Sequence, residues 1–390
     1  MKPKTFMLIA GETSGDLLAA ELVSALLAAS KQGEVGRAPQ FLGAGGAKMS
    51  AAGVELIHEM SQLSVVGVTD VFKKFFEFRR LLRRLLASAV ERKPDVVIGV
   101  DFGGFNSRFA HAVKEHVRNN PFSKWNPKIV QFISPQVWAS RPKRANRLAA
   151  DCDLLLSVFP FEKDWYAQRV PQLRVEFVGH PMVGRFQKSD FRSQKSEASA
   201  TSPEILLLPG SRRSELKNHL PAMLSALKLI QEKIPAAKAI MVLPDESLVQ
   251  LAKSLGVSSN VEIQIGDLPQ ALAQADIAIA KTGTVTMECA FFGVPAVTLY
   301  KGSWLNYQIA RRLITVKTFT MPNLLAGEEV YPEFLQDALT AENLSRAALE
   351  LLQDESRRTK MKSQLAKIVA SLGEPGAANR AATAILSLFK

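Results

Sequence analysis

The 390-residue chain is 47% hydrophobic and 22% charged, enough apolar material for two separate cores rather than one oversized core. Its formal charge of +12 favours an anionic partner, which could be nucleic acid, an anionic bilayer or a phosphorylated substrate. Cys152 and Cys289 stand far apart and form no CxxC pair, which excludes a disulfide framework or structural zinc site. The five histidines lack HExxH-type spacing, so neither a protein-held metal nor a cofactor is expected.

The first four residues include two lysines, but the apolar run at 6–10 is too short for a signal peptide, and no stretch approaches the roughly 18 apolar residues of a spanning helix. A cytoplasmic chain that does not cross a membrane is expected. From Phe6 onward, short aliphatic runs alternate with helical patterns, the rhythm of βα units around a parallel sheet, so the fold class is α/β.

The first strand, 6–10, ends in Gly11-Glu12-Thr13-Ser14-Gly15-Asp16. Such a strand-to-helix turn either exposes N–H groups to an anion or merely reverses the chain; spacing leaves both readings open. A second strand is expected at 41–43. Residues 65–89 then show helical spacing, with Val68, Phe72, Phe75, Phe76 and Leu85 on one side and Arg79, Arg80 and Arg83 on the other. A basic aromatic helix of this kind lies in a bilayer interface or packs on a core with a solvated basic face.

The strand at 96–100 runs into Asp101, a carboxylate at the carboxyl end of a parallel strand, where it serves as a general base or caps the next helix. A strand at 129–133 leads to Ser134-Pro135-Gln136-Val137-Trp138 and a basic cluster of Arg141, Lys143, Arg144 and Arg147, which holds a phosphate or solvates a helix. Strands at 154–158 and 175–178 complete the first series. Residues 189–203 are polar and small, a linker that divides the chain into domains at 1–190 and 200–390.

The second series has strands at 205–208, 239–243, 261–265, 277–280 and 296–299, making two Rossmann-like domains in tandem. Its first strand enters Pro209-Gly210-Ser211-Arg212, where a guanidinium suits a phosphate because it donates two parallel hydrogen bonds. Its fourth enters Lys281-Thr282-Gly283-Thr284, with Glu288 one helical turn beyond Thr284. Diphosphate at the turn with a ribose diol on Glu288 competes with a simple capping Thr and a solvent-facing Glu. The tail, 341–390, reads as helices broken at 373–376, the last of them a candidate to pack on the first domain.

GETSGD at 11–16, SPQVWASR at 134–141, FPFE at 159–162, VGHP at 178–181, LPGSR at 208–212 and PNLLAG at 322–327 occur in that order over most of the chain. Together they resemble the lipid-A-disaccharide synthase family. The resemblance implies a GT-B fold, two Rossmann-like domains whose parallel sheets face a central cleft. It implies an inverting transfer of 2,3-diacylglucosamine from UDP to 2,3-diacylglucosamine 1-phosphate, giving a β-1,6 disaccharide 1-phosphate. Asp101 matches the family's base, with Glu12 beside it as a second catalytic candidate. Gly11, Ser14, Gly15, Asp16 and Trp138 fall in first-domain motifs that face substrate. In the second domain Gly210, Ser211, Arg212, Thr282, Gly283 and Thr284 are carried over to the diphosphate, Glu288 to the ribose, Gly266 and Leu268 to the uracil, and Asn323 to a substrate contact. The resemblance also implies peripheral attachment to the inner face of the inner membrane, and a homodimer is compatible with it.

Two departures stand out. Where the family commonly has D-x-P-D-F-N, this chain has Asp101-Phe102-Gly103-Gly104-Phe105-Asn106, so Gly104 replaces the second acid; after VGHP, Gly184 occupies a position often acidic. A different acceptor preference would follow. The competing readings are another GT-B enzyme acting on UDP-N-acetylglucosamine, including an epimerase, and a nucleic-acid-binding protein. No RNP-type or helix-turn-helix signature supports the last.

Overall fold

The computed structural model describes residues 3–30, 38–60, 71–185, 202–303, 307–308, 312 and 314–389, with the side chains of 71–75 outside that description. The chain divides into two compact units, one of residues 1–185 with 372–390 and one of residues 186–371.

The first unit is built on seven strands: β1 (Thr5–Ala10), β2 (Gln40–Gly45), β3 (Glu55–Glu59), β4 (Val96–Val100), β5 (Lys128–Phe132), β6 (Leu154–Ser157) and β7 (Val175–Phe177). They pair in parallel in the order β3-β2-β1-β4-β5-β6-β7. Helices cover both faces of such a sheet, so central strands are apolar on both sides; every residue of the VVIGV run in β4 is buried. The second unit has β8 (Glu204–Leu208), β9 (Lys238–Leu243), β10 (Val261–Ile265), β11 (Ile277–Lys281), β12 (Ala296–Tyr300) and β13 (Glu333–Leu335). Their parallel order is β10-β9-β8-β11-β12-β13.

In each sheet the strand order reverses once, at β1/β4 and at β8/β11. Loops leaving the carboxyl ends of such a strand pair diverge and open a crevice where ligands bind. Two strands escape the sequence reading, β3 and β13, and both lie at sheet edges. An edge strand is not buried on both faces, so ELIHE and the three-residue EFL lack the continuous apolar run that marks the others.

The tail helix Ala377–Leu386 packs on the helix Thr13–Ala29 of the first unit. The Leu372 carbonyl there accepts the His180 N–H at 2.9 Å. The helix Val71–Arg92 settles part of the choice left open above. Leu81, Leu85 and Ala89, spaced four apart, are buried in the same core as Phe105 and Phe109, so this stripe packs inward and is closed to a bilayer. Phe76 is 63% exposed, and Arg79, Arg80 and Arg83 are exposed too. Val68 lies outside the described residues, as do the side chains of Phe72 and Phe75. Among the described residues no helix is long and apolar enough to cross a membrane.

Candidate functional site

Register brings the first-unit motifs together. Ala10 pairs with Val100, so GETSGD at the end of β1 and Asp101 at the end of β4 leave the sheet side by side. Asp101 and Phe102 both adopt left-handed backbone (φ 49° and 45°), as does Ile133 (φ 68°) beyond β5. Each conformation costs a non-glycine residue energy and persists only where the surroundings hold it. Two buried amides do so: the Asp101 carbonyl accepts from Asn106 Nδ2 at 2.8 Å and from Gln131 Nε2 at 3.0 Å, and Gln131 also donates to Ile133 at 3.1 Å. Gly99 in β4 makes room for both, since a Cβ there would lie 2.7 Å from Gln131 Oε1 and 2.8 Å from Asn106 Cβ.

The Asp101 carboxyl is half-buried, and its pKa is raised. Burial is the main cause; donation from the Phe102 N–H opposes it, and the Glu12 charge adds to it. A carboxylate that holds its proton more tightly is a stronger base, which suits abstraction of a hydroxyl proton. Glu12 and Ser14 are exposed at the start of the helix Thr13–Ala29, while Gly11 and Gly15 are buried backbone positions. The Asp16 carboxylate accepts the N–H groups of Gly46 at 2.8 Å, Lys48 at 3.0 Å and Met49 at 3.1 Å, and so caps the helix Ala47–Ala51.

A cavity of about 500 Å³ opens beside Asp101, walled by the start of the helix Gly103–Asn119, by Ile133 to Val137 and by the helix Arg144–Asp151. Trp138 lies behind this wall, 6% exposed, with its indole N–H donated to Glu162 at 3.0 Å. That donor is therefore engaged inside the fold. Glu162 also takes the Phe159 N–H, and burial pushes its pKa up to about 7. Phe159 packs against His180, ring centres 5.5 Å apart, so the FPFE and VGHP segments brace one another.

In the second unit Leu208 pairs with Ala280, which sets Pro209 to Arg212 beside Lys281 to Thr284. Glu215, in the first turn of the helix Arg213–Lys233, ties the two turns together. It accepts the Ser211 N–H at 2.9 Å and the Lys281 ammonium at 2.9 Å. Burial, the largest influence, pushes its pKa up, but Lys281, the Ser211 N–H and Arg212 outweigh it and hold the carboxyl below its ordinary value. Gly210 (φ 127°) is required here, because a Cβ would sit 2.4 Å from Glu215 Oε2. Fully buried His219 bridges the Pro209 carbonyl (2.7 Å) and the Lys301 N–H (3.1 Å), which fixes its tautomer with Nδ1 protonated.

What these ties leave exposed is the Arg212 side chain, 67% exposed, with Gly283 and Thr284 at the N-terminus of the helix Thr284–Phe292. A guanidinium beside a helix N-terminus suits an anionic group. Thr282 and Glu288 are half-buried on the same two elements, and Gly266 (φ 70°) and Leu268 form the turn after β10. Asn323 is held within its own segment. It is 1% exposed, its Oδ1 accepting from Val330 and Tyr331 N–H and its Nδ2 donating to the Tyr331 carbonyl and to Glu333. That side chain shapes its own segment. Sequence reasoning missed the roles of Glu215, Lys281, Glu162 and Gln131. Lys281 stands in a turn quoted above; for the others nothing in spacing marks the role.

Residues 6–387 match the family model described as lipid-A-disaccharide synthetase. This chain belongs to the lipid-A-disaccharide synthase family. A relative in Syntrophus aciditrophicus carrying the family's name is 33% identical over all of this chain and 99% of its own length. One in Trichlorobacter lovleyi is 34% identical over 100% of this chain and 98% of its own. Among solved structures, the calicheamicin glycosyltransferase CalG4 superposes with a TM-score of 0.59 at 16% identity, covering 99% of this chain and 98% of that one. The Neisseria meningitidis UDP-GlcNAc 2-epimerase bound to UDP-GlcNAc gives 0.60 at 13%, covering 99% and 100%. At those identities the likeness is one of fold: the GT-B architecture that this synthase family member shares with glycosyltransferases and epimerases.

Proposed function

We propose that this protein is an inverting glycosyltransferase that condenses UDP-2,3-diacylglucosamine with 2,3-diacylglucosamine 1-phosphate to the β-1,6-linked disaccharide 1-phosphate, releasing UDP. The observation that carries the reading is Asp101, a half-buried carboxylate of raised basicity on a strained turn, in a chain that belongs to this family from end to end.

In this reading Asp101 takes the proton of the acceptor's 6-hydroxyl as that oxygen bonds to the anomeric carbon and the bond from that carbon to UDP breaks. A positioned base contributes ~10² to 10⁴-fold to such a step. Departing UDP gains negative charge, and Arg212 with the N-termini of the helices Arg213–Lys233 and Thr284–Phe292 stabilises it without reorganising, because Glu215 already fixes both turns. Glu288 then serves the ribose and the 266–268 turn the uracil. The protein works at the bilayer surface as a peripheral protein on the inner face of the inner membrane, which exposed Phe76, Arg79, Arg80 and Arg83 support.

The test is to incubate the purified protein with both substrates and follow UDP and disaccharide by mass spectrometry, beside Asp101→Asn. Disaccharide from the wild type, a turnover loss of two to four decades in the variant and unchanged UDP affinity are expected. UDP binding with no disaccharide would point to another acceptor, and undiminished turnover in Asp101→Asn would remove it from the mechanism.

A further inference from the structure

The cavity beside Asp101 carries a charge pattern that proton abstraction does not use. On the helix Gly103–Asn119, Gly104 and Arg108 are four apart and share the face toward the cavity. Arg144 and Arg147 face it from the helix Arg144–Asp151, and Arg141 reaches it from the preceding turn. Three elements thus converge four guanidinium groups on one concavity. They are close enough to feel one another: burial first, then the charges of Arg141, Arg108 and Arg147, lower the Arg144 pKa.

The charge is not balanced within the fold. Buried Asp151 at the back of the cavity stands 3.8 Å from Arg147, and it is shared with His111 at 2.9 Å and Arg118 at 3.7 Å. Among the described residues no carboxylate lies within ion-pair distance of Arg108, Arg141 or Arg144. Several like charges held around a pocket without counter-charge are stable only if water or an anion compensates them, and a guanidinium matches the oxygens of a phosphate monoester in pairs. Gly104, at the mouth, adds neither bulk nor charge; a Cβ built there meets nothing within 4 Å.

We propose that this arginine-lined cavity is the subsite for the acceptor's anomeric phosphate, with Arg108 and Arg144 as its principal donors. The inference rests on the transferase reading above and deepens it. In a hexopyranose the anomeric carbon and the carbon that bears the 6-hydroxymethyl group flank the ring oxygen, so the 1-phosphate and the 6-hydroxyl leave one ring from two separate carbons. Seating the phosphate on the guanidinium groups orients the sugar with its 6-hydroxyl toward the Asp101 end of the same cavity, whose size is that of a small-molecule site. The cluster therefore both selects a phosphorylated acceptor and sets which hydroxyl reacts.

The experiment uses Arg108→Ala, Arg144→Ala and the double variant, assayed with 2,3-diacylglucosamine 1-phosphate and with its dephosphorylated counterpart. Both substituted positions are exposed, and circular dichroism melts verify folding. The expected result is a tenfold or greater rise in acceptor KM with kcat little changed, largest in the double variant, and no such rise with the dephosphorylated acceptor. Binding to anionic phosphatidylglycerol vesicles is expected to stay unchanged. If the variants lose vesicle binding and suffer equally on both acceptors, the arginines serve bilayer headgroups and the proposal is overturned. Wild-type kinetics with no preference for the phosphorylated acceptor overturn it as well. Should the wild type form no disaccharide, the transferase reading fails first. Calorimetric titration with glucosamine 1-phosphate then decides the subsite alone: binding by the wild type and not by the double variant supports it, and equal or absent binding refutes it.

Discussion

Replacing Glu215 by Ala strips two partners at once, the Ser211 N–H and the Lys281 ammonium, both 2.9 Å from the carboxylate. The side chains of Glu215 and Lys281 are 11% and 17% exposed, so the cation left behind is poorly solvated. Breaking a buried pair from one side costs ~3 to 5 kcal/mol, and the residual exposure places this case at the lower end, about 3 kcal/mol. Lys281→Met is the milder single change, because Glu215 keeps the Ser211 N–H and Arg212. In the double variant neither charge is stranded, so its destabilisation is expected to fall short of the sum by about 1 to 3 kcal/mol. Native-state hydrogen exchange at the amides of β8 and β11 reads this locally. The turn at 209–212 also loses its anchor in Glu215→Ala, and UDP affinity measured calorimetrically should drop about tenfold, or ~1.4 kcal/mol. Additive destabilisation with unchanged UDP affinity would refute the view that this carboxylate assembles the diphosphate loop.

Asp16→Ala should unfold more readily, by about 2 kcal/mol, since three N–H groups lose their acceptor; UDP affinity should not change, and a calorimetric shift there would restore Asp16 to substrate binding. For His180, burial and then Arg185 push the pKa down to about 4, so the unfolded chain binds a proton that the folded one refuses as pH falls from about 6.5 to 4. That loss approaches ~3 kcal/mol at pH 4. Glu162, raised to about 7 chiefly by burial, works in the opposite sense, its contribution present below about pH 4.5 and lost as pH rises through 7. Urea titrations at pH 7, 6 and 5 should accordingly show a steeper acid loss in the wild type than in His180→Gln, and parallel curves would discount His180. Phe76→Ser combined with Arg79→Ser and Arg83→Ser should release the protein from anionic vesicles in sedimentation while leaving its melting temperature within a few degrees, and full retention would count against this surface as the membrane contact.

Eleven of the thirteen strands follow from the sequence because buried parallel strands are continuous apolar runs, a local property. The six motifs likewise identify the family by themselves. The helix Val71–Arg92 shows the limit of pattern: an amphipathic helix presents the same periodicity to a core and to a bilayer, and only packing against Phe105 and Phe109 shows where Leu81, Leu85 and Ala89 point.

What the sequence determined by itself is the α/β class, the tandem arrangement, the family, and the strand ends where ligand turns would lie. What only the tertiary structure decided is which side chains at those turns remain available. Asp16, Trp138 and Asn323 sit in motifs yet commit their polar atoms to a helix start, to Glu162 and to the Tyr331 backbone; Arg212 and Glu12 stay exposed. Asp101 gains its basicity from burial, and Arg108 meets Arg144 across a cavity, though 36 positions separate them in the chain. Residue type and spacing encode local geometry, whereas the satisfaction of a polar atom and the field at a charge depend on neighbours that only folding brings near.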